Sequence, residues 1–464
     1  MASQADHPIG TPLEPGRIHF GTDGIRGRVG TVITPALAVQ LGYWCGRVLP
    51  QGGPILIGMD SRSSGPMLVA ALSAGLTAAG REVFDLGLCP TPAVPGAIRR
   101  IGASGGLMVS ASHNPPHDNG IKVFAACGAK LGKEQQATIE AGLHGAGEPV
   151  AEGFRATGSI HRRGDLLDGY REALLASVGG LRLDGVKVVL DLCWGSATSC
   201  AEELFLALGA DLTLLNGTPD GSRINQGCGS THLEGLQAAV LERGAVMGFG
   251  FDGDADRVLA VDGCGRVIDG DQILFLWGQA LMAEQRLPQQ RIVATVMSNL
   301  GFERAWQALG GVLERTAVGD QYVHAAMEEL GAALGGEQSG HILSAQHGLS
   351  GDGLLTALQV ATLVHGQGLS LAEWRDRSFD AYPQKLVNVT VPDRSRRSGW
   401  RRCEPLIEAI SRAEQAMAGH GRVLVRASGT EPLLRVMVEA ADQADVDHWC
   451  SELAGLARRH LSEP

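Results

Sequence analysis

Short apolar runs recur along the chain in a repeated order of strand, helix and strand. Three runs have the length and β-branched content of buried parallel strands, and a turn and a helix-like stretch follow each of them. These first runs are residues 54–59, 187–192 and 291–297. A glycine ends each predicted helix and a second run follows, at residues 81–88, 211–216 and 312–318. The pattern therefore predicts one α/β unit that is repeated three times.

A third apolar run in each unit leads into an unusual loop. These third runs are residues 105–110, 245–251 and 332–336. The loops that follow them read SASHNPP (110–116), DGDADR (252–257) and GEQSGH (336–341). Ligands of open α/β sheets bind beyond the carboxyl ends of the strands. We therefore expect three similar α/β domains, with mixed sheets flanked by helices, whose loops converge on a central cleft.

The last part of the chain departs from this repeat. Its predicted strands are separated by a charged, helical stretch, which indicates a smaller fourth domain of α+β type. These strands are residues 387–391, 423–428 and 433–440. The predicted domains are 1–158, 159–260, 261–374 and 375–464. Residues 1 to about 16 are predicted to form a mobile tail.

Composition narrows the class of protein. The formal net charge of −11 argues against a surface for nucleic acid or for an anionic membrane. No apolar run approaches the ~18 residues of a membrane-spanning helix, and the first residues lack the apolar segment of a signal peptide, so we expect a cytoplasmic protein. The nine cysteines form no CxxC pair, and we interpret them as reduced, mostly buried thiols.

Three aspartates alternate with small residues directly after a predicted buried strand. In an extended loop Asp252, Asp254 and Asp256 would point to one side, and such a cluster needs a cation. Three carboxylates that leave room for phosphate oxygens suit Mg²⁺. A calcium loop does not fit, because Arg257 stands where glycine is required and Gly263 where a glutamate is required. The alternative is a solvated acidic turn.

Ser112 lies between a predicted strand and the turn at residues 114–116. We expect its hydroxyl to be exposed at the tip of a rigid loop. A serine in this place often only caps a turn, but a phosphoserine would add negative charge and three acceptor oxygens, and so complete a magnesium site with the aspartates. Turn hydrogen bonding is the preferred interpretation of His113.

Two other loops carry polar groups that suit a sugar phosphate. The segment RASGTEP (426–432) offers guanidinium, hydroxyl and backbone N–H groups to a phosphate, and Arg435 follows on the next strand. An ordinary hairpin turn is the alternative there. In the loop GEQSGH, Glu337 and Ser339 suit sugar hydroxyls. His341 of the same loop and Lys122 are candidates for proton transfer. The alternative is that these side chains only satisfy one another's hydrogen bonds in a polar loop.

Five motifs, in the same order and over nearly the whole chain, resemble the α-D-phosphohexomutase family. They are FGTDGIRG (20–27), SASHNPP, FDGDADR, GGEQSGH and RASGTEPLLRVMVE. Further stretches resemble the glucosamine-phosphate branch of that family: INQGCGSTH (224–232), DGDQIL (269–274), VMSNLGFE (296–303) and SGDGLLTALQV (350–360). The family fold, three similar α/β domains and a smaller fourth domain around a central cleft, agrees with the repeat described above.

The resemblance implies roles for single residues. Ser112 is the phosphorylated residue, and Mg²⁺ is bound by a phosphoserine oxygen together with Asp252, Asp254 and Asp256. Contacts to sugar hydroxyls fall to Glu337 and Ser339, and contacts to the non-reacting phosphate fall to Arg426, Ser428, Gly429, Thr430 and Arg435. The proton donors or acceptors are Lys122 and His341, and the arginines that line the cleft are the catalytic Arg26 and the substrate-binding Arg257.

Two positions depart from the family pattern. Ala255 stands where glycine is frequent, a change that we expect to matter little. Gln321 replaces an arginine that is usual in this branch, so one cation of the cleft is missing here.

The implied reaction is an intramolecular phosphotransfer of the isomerase class. Phosphoserine passes its phosphoryl group to the free hydroxyl of glucosamine 6-phosphate, and the resulting 1,6-bisphosphate turns around and returns the other phosphoryl group to Ser112. We expect a hexosamine 1,6-bisphosphate as activator, a small sugar phosphate as the partner, and a monomer or homodimer. The fourth domain is the expected lid.

Three alternatives remain open at this point. The first is a mutase of the same family whose preferred substrate is a glucose phosphate or a mannose phosphate. The second is a phosphatase with an aspartyl nucleophile, which fits DGDAD but leaves Ser112 and RASGTEP unexplained. The third is a non-catalytic sugar-phosphate sensor, in which Ser112 stays unmodified.

Overall fold

The computed structural model describes residues 13, 18–146, 157–348, 350–428 and 432–462. The chain divides into two compact units, the larger with Met1–Met297 and Leu313–Arg377 and the smaller with Ser298–Val312 and Ser378–Pro464. The predicted N-terminal tail lies outside the described residues except for Leu13. Within the described part of the chain, every helix is too short or too polar to cross a membrane.

The first sheet of the larger unit has six strands. They are β1 (Ile25–Arg28), β2 (Ile55–Met59), β3 (Val83–Leu88), β4 (Gly105–Val109), β5 (Asp118–Ala125) and β6 (Ile160–Arg162), and the accompanying helices are α1 (Pro35–Val48), α2 (Gly65–Ala78), α3 (Ala93–Ile101) and α4 (Lys133–Leu143). The strand order is β1–β5–β4–β2–β3–β6, with β1 and β5 antiparallel to their neighbours. The sheet is therefore mixed, as predicted.

Helices α1 and α2 approach each other through glycines. A methyl group at Gly42 would lie 2.2 Å from the carbonyl oxygen of Leu72, and one at Gly75 would lie 2.0 Å from that of Val39. Helix α1 begins at Pro35, and the Thr34 hydroxyl accepts the Leu37 N–H as its N-terminal cap. The close contact of the two backbones requires glycine at both positions.

The second sheet repeats this design with five strands. The elements are α5 (Leu166–Ser177), β7 (Lys187–Asp191), α6 (Ala201–Ala207), β8 (Asp211–Leu215), α7 (Glu234–Arg243), β9 (Met247–Phe251), β10 (Val258–Asp262) and β11 (Val267–Ile268). The strand order is β11–β10–β9–β7–β8. Strand β7 is parallel to β8 and β9, and β10 returns antiparallel to β9.

The third sheet has four strands. The elements are α8 (Gly270–Ala283), β12 (Arg291–Thr295), α9 (Leu300–Ala308), β13 (Val312–Thr316), α10 (Asp320–Leu330), β14 (Leu334–Gly336), β15 (Ile342–Ser344), α11 (Gly353–Gln367) and α12 (Leu371–Asp376). The strand order is β13–β12–β14–β15, and β15 is antiparallel to β14. Helix α8 begins with a capping box of Asp269 and Gln272, and Asp352 caps the N-terminus of α11 by accepting the Leu355 N–H.

The smaller unit has an antiparallel sheet, as predicted for a fourth domain of α+β type. Its elements after α9 are β16 (Gln384–Thr390), α13 (Arg394–Ser398), α14 (Glu404–Ala416), β17 (Gly421–Ala427), β18 (Leu433–Ala440) and α15 (Gln443–Ala457). The order is β16–β18–β17. Helix α9 belongs to this unit: the Leu300 N–H donates to Glu439 at 2.8 Å, and the Phe302 ring stacks on Phe379. The predicted fold class is confirmed, whereas the four domain limits stay predictions.

Candidate active site

Three carboxylates meet directly after β9. Oxygen atoms of Asp252, Asp254 and Asp256 all lie within 4.8 Å of one another, and the three side chains are buried. The expectation that an extended loop brings the three carboxylates together was wrong. The loop is a turn, in which Ala255 has a φ of 56°. This left-handed conformation favours glycine, so Ala255 holds a backbone conformation that glycine would adopt at less cost.

Ser112 is buried beside this triad. Its Oγ donates to Oδ2 of Asp252 at 2.5 Å, and the residue is 0% exposed. The expectation of an exposed hydroxyl at a loop tip is therefore wrong. The second domain covers the loop, and a sequence pattern cannot show contacts between segments 140 residues apart. The proximity of Ser112 to the three aspartates is as predicted.

A buried arginine fixes the backbone of the serine loop. The Arg62 guanidinium donates to the carbonyl oxygens of Ser112, Asn114, Pro115 and Asp118, at 2.5 to 2.9 Å. Its Nε donates to Asp60 at 3.0 Å, and both side chains are inaccessible to solvent. Because each guanidinium N–H is directional, this network holds the loop in one conformation.

A residue of the second domain holds the same loop from the other side. The Asn225 side-chain amide donates to the carbonyl oxygens of Ser112 at 2.8 Å and of Asn114 at 2.9 Å. The sequence analysis missed Asp60, Arg62 and Asn225. Asp60 and Arg62 follow the first predicted strand, at the carboxyl end where ligands bind, so the rule used for the other loops would have selected them.

Lys122 on β5 points into the aspartate cluster. Its Nζ lies 2.6 Å from Asp256 Oδ2, 2.8 Å from Asp254 Oδ2 and 3.1 Å from Asp23 Oδ2. Burial lowers the pKa of Lys122, but these three carboxylates outweigh burial and hold its pKa well above the usual value. The ammonium group is therefore charged and offsets part of the negative charge of the cluster.

His341 joins the third loop to the triad. Its Nδ1 lies 3.6 Å from Asp256 Oδ1, and its Nε2 lies 3.4 Å from Asp320 Oδ2. Burial lowers the pKa of His341, and the two carboxylates together raise it to about 10. Asp320 also pairs with Lys130. The three loops thus converge, as the repeat predicted.

The two cleft arginines lie around the serine. Arg26 pairs with Asp23 and donates to the carbonyl oxygen of Ala111 at 3.2 Å. The Arg257 Nε lies 3.9 Å from Asp256. Burial and these two guanidinium groups lower the pKa of His113 to about 4, so its imidazole, with Nδ1 at 3.4 Å from Ser112 Oγ, is neutral.

The remaining predicted contacts of the third domain differ in exposure. Glu337 is buried and accepts the Gly319 N–H at 3.2 Å, whereas Ser339 is exposed. Gln338 donates to Asp269 at 3.2 Å, so this side chain binds the cap of α8. The Gln321 side chain is partly exposed, and its backbone N–H binds Asp320.

The predicted phosphate contacts belong to the smaller unit. Arg426 on β17 and Arg435 on β18 are direct cross-strand partners. The Ser428 N–H donates to the carbonyl oxygen of Leu433 at 2.8 Å, and Ser428 is buried. Gly429 and Thr430 lie outside the described residues.

The aspartate cluster fits a hard divalent cation. Oδ1 of Asp254 and Oδ1 of Asp256 are buried and accept no hydrogen bond from the part of the chain that the structure describes. Thr91 fixes Asp254, because its hydroxyl donates to Oδ2 at 2.5 Å and its N–H donates to the carbonyl oxygen. Three buried carboxylates that are held in place by their neighbours, with Oδ1 of Asp254 open to a further partner, suit Mg²⁺.

Comparison with known proteins agrees with this geometry. Residues 17–149, 168–265 and 269–382 match the alpha/beta/alpha domains I, II and III of phosphoglucomutase/phosphomannomutase, and residues 386–456 match its C-terminal domain. The chain belongs to the phosphoglucomutase/phosphomannomutase family, the α-D-phosphohexomutases.

Two similar relatives are both named phosphoglucosamine mutase. The phosphoglucosamine mutase of Synechococcus sp. (strain CC9311) is 70% identical over 98% of this chain and 100% of its own. That of Prochlorococcus marinus (strain MIT 9303) is 68% identical over 100% of this chain and 99% of its own. A phosphoglucomutase/phosphomannomutase family protein from Burkholderia thailandensis, a solved structure, superimposes with a TM-score of 0.79 at 26% identity, over 99% of this chain and 98% of that one.

Proposed function

We propose that this chain interconverts glucosamine 6-phosphate and glucosamine 1-phosphate by way of phosphorylated Ser112. One observation carries the proposal: a buried hydroxyl lies 2.5 Å from one carboxylate of a converging triad, on a loop that Arg62 and Asn225 hold. The full-length identity to proteins named phosphoglucosamine mutase supports the choice of sugar. Cytoplasmic location and a monomer or homodimer stay predictions.

In the first half-reaction, the free O1 hydroxyl of glucosamine 6-phosphate attacks the phosphorus of phosphoserine 112. The bond between phosphorus and Ser112 Oγ breaks, the sugar hydroxyl loses its proton, and Oγ is protonated. The products are glucosamine 1,6-bisphosphate and free Ser112. Lys122 and His341 are the groups that we propose to transfer these protons, because both reach the triad through Asp256.

In the second half-reaction, Ser112 Oγ loses its proton and attacks the phosphorus of the C6 phosphate of the reoriented bisphosphate. The C6 oxygen leaves and takes a proton, which releases glucosamine 1-phosphate and restores phosphoserine. The cradle of Arg426, Ser428, Gly429, Thr430 and Arg435 is proposed to hold whichever phosphate does not react. A free bisphosphate is the proposed activator, because it can phosphorylate Ser112 in the same way.

The triad is proposed to hold Mg²⁺ with Asp252, Asp254, Asp256 and a phosphoserine oxygen. When bound, the ion supplies positive charge that offsets the charge of the transferring phosphoryl group. Arg62 and Asn225 act on the loop backbone, and so keep Oγ in place while its bond to phosphorus forms and breaks.

The experiment compares glucosamine, glucose and mannose phosphates in a coupled assay with Mg²⁺ and matched bisphosphate. We expect the highest kcat/KM for glucosamine phosphate, by about ten- to a hundredfold, because one polar contact discriminates by that much. Phosphopeptide mapping should find the phosphate on Ser112 and not on Ser110.

Ser112→Ala should abolish turnover, because it removes the hydroxyl that is proposed to carry the phosphoryl group. More than a trace of activity in this variant would contradict the proposed chemistry. Release of free phosphate without isomerisation would favour a phosphatase, and a higher kcat/KM for glucose or mannose phosphate would contradict the choice of sugar alone.

A further inference from the structure

Two thiols lie side by side behind the serine loop. Cys193 follows β7, and Cys228 lies just before the short helical turn at Gly229–Thr231. Their Sγ atoms are 3.8 Å apart. Cys193 is 0% exposed and Cys228 is 4% exposed. The two sulfur atoms are therefore in contact with each other and are shielded from solvent.

One carboxylate fixes both segments of this pair. Asp191 accepts the Cys193 N–H through Oδ1 at 3.0 Å and the Gly229 N–H through Oδ2 at 2.8 Å. A methyl group at Gly229 would lie 2.5 Å from Cys193 Sγ, so the Cys193 side chain packs directly against the Gly229 backbone. Asp191 thus holds the two segments that carry the thiols next to each other.

The thiol pair is connected to the nucleophile by a single amide. Cys193 Sγ donates to Asn225 Oδ1 at 3.1 Å, and the same amide donates through Nδ2 to the carbonyl oxygens of Ser112 and Asn114. Asn225 is 9% exposed, so a partner that it loses is not readily replaced by water. A change at Cys193 therefore reaches the serine loop through one side chain.

We propose that Cys193 and Cys228 are a reversible modification site, at which a hydroperoxide forms a disulfide that slows the mutase. An S–S bond of about 2.0 Å requires the sulfurs to approach by roughly 1.8 Å. Cys228 stands between Gly227 and Gly229, both with positive φ, and these glycines allow its backbone to shift. Once the bond forms, neither sulfur carries a proton, and Asn225 Oδ1 loses its donor.

The chemistry balances with hydrogen peroxide as the oxidant. Contact with the Cys193 sulfur lowers the pKa of Cys228, whereas the pKa of Cys193 is raised well above its usual value, so Cys228 is the thiol that ionises first. Its thiolate attacks a peroxide oxygen, the O–O bond breaks, and the leaving hydroxide takes a proton to become water. Cys193 sulfur then attacks the sulfenic acid, and the S–O bond breaks with release of a second water. Two thiols are oxidised and one peroxide is reduced, and a dithiol reductant reverses the change.

The test uses the full-length protein, treated with hydrogen peroxide and then alkylated. Tryptic mapping should detect peptide 188–223 joined to peptide 224–243, with fragment ions that place the bond on Cys193 and Cys228 and not on Cys200. Turnover should fall about tenfold, the factor expected when one hydrogen bond that positions the nucleophile is lost, and dithiothreitol should restore it.

Two variants and one control separate this site from other oxidation. C193S keeps a hydroxyl donor for Asn225, and C228A leaves the Cys193–Asn225 hydrogen bond in place, so both should resist peroxide. The control variant C127S/C264S removes the two exposed cysteines and should respond like the unmodified sequence. Equal loss of turnover in C228A, no joined peptide, or a joined peptide without loss of turnover would each overturn the proposal.

The effect on turnover rests on the proposed function, so the test includes a readout that needs no catalysis. Amide hydrogen exchange in residues 110–118 should become faster after oxidation, because Asn225 no longer fixes the loop. If the protein had no mutase activity, the joined peptide and the difference in amide exchange could still be measured. Unchanged exchange in the joined form would contradict the inference and leave the proposed function untouched.

Discussion

At the scale of single residues, Arg62 determines the conformation of the serine loop. We predict that Arg62→Met lowers the free energy of unfolding by about 3 to 5 kcal/mol, because Asp60 is left as an unpaired buried charge. Urea denaturation followed by circular dichroism measures this loss. The double variant R62M/D60N removes the charge as well and should lose less. A loss below about 1 kcal/mol in R62M, the value of one ordinary hydrogen bond, would contradict this account.

Asp352 gives a pH dependence to stability. Burial raises its pKa to about 6, while the Tyr170 hydroxyl donates to it at 3.0 Å. A raised carboxyl pKa adds stability that is complete below the unfolded value near 4 and is lost as the pH rises through about 6. We therefore predict that the unfolding free energy of the unmodified sequence falls by about 1 kcal/mol relative to Asp352→Asn between pH 5 and pH 8. Urea denaturation of both proteins over this range tests it, and parallel pH profiles would refute it.

Asp254 is the carboxylate whose metal role is simplest to test. Its Oδ1 accepts no hydrogen bond from the described residues, so Asp254→Asn removes charge without breaking a contact of that oxygen. We predict that Mg²⁺ binding weakens and turnover falls by orders of magnitude. Calorimetric titration with Mg²⁺ measures the first effect and the coupled assay the second. Full activity in excess chelator would contradict the metal role, and Zn²⁺ should replace Mg²⁺ poorly at an all-oxygen site.

The sequence predicted which residues lie together in the candidate site better than it predicted their surroundings. Ser112 and the three aspartates were recognisable because strand ends and motifs select them. The burial of Ser112 was not, because it depends on Asp252 and Asn225, which fold against it from another domain. The left-handed backbone of Ala255 was also not predicted, because it follows from a turn of the loop that the sequence pattern did not show.

At the scale of elements, the contact of α1 and α2 gives a matched pair of variants. Gly75→Ala adds a methyl group 2.0 Å from the Val39 carbonyl oxygen, and we predict destabilisation by about 1 to 3 kcal/mol from overpacking. Gly96→Ala in α3 adds a methyl group in open space and should stabilise by about 0.5 to 1 kcal/mol, because alanine favours the helix. Thermal unfolding of both variants measures the two signs. A stabilised G75A would contradict the close approach of the helices.

The predicted strands are present, and the antiparallel strands that follow each functional loop were missed. Strand β5 carries the buried charge of Lys122 among apolar residues, so it lacks the pattern of a core strand. Strand β15 has three residues, which is too short for a periodicity to appear. The sequence predicted that a glycine ends each of the three repeated helices, and residues Gly80, Gly209 and Gly310 do have the positive φ that is typical of a helix end.

At the scale of the whole molecule, the repeat predicted the three sheets of the larger unit, but it did not predict the contacts that α9 makes with the smaller unit. The strand–helix–strand pattern places α9 with the strands beside it in sequence. The contacts of Leu300 with Glu439 and of Phe302 with Phe379 instead include it in the smaller unit. Such a membership depends on side-chain contacts across more than 70 residues of sequence, and no local pattern records it.

The smaller unit is therefore discontinuous along the chain, and this affects how the protein is made. A ribosome delivers α9 first, and residues 313–377 must emerge before Phe379 and Glu439, which contact it. At about 5 to 20 residues per second this interval lasts several seconds. During that time the Phe302 ring has no Phe379 ring to stack on and the Leu300 N–H has no Glu439 acceptor, so α9 lacks these two contacts. Translation speed over residues 313–377 should consequently influence the yield of folded protein more than speed over the first sheet.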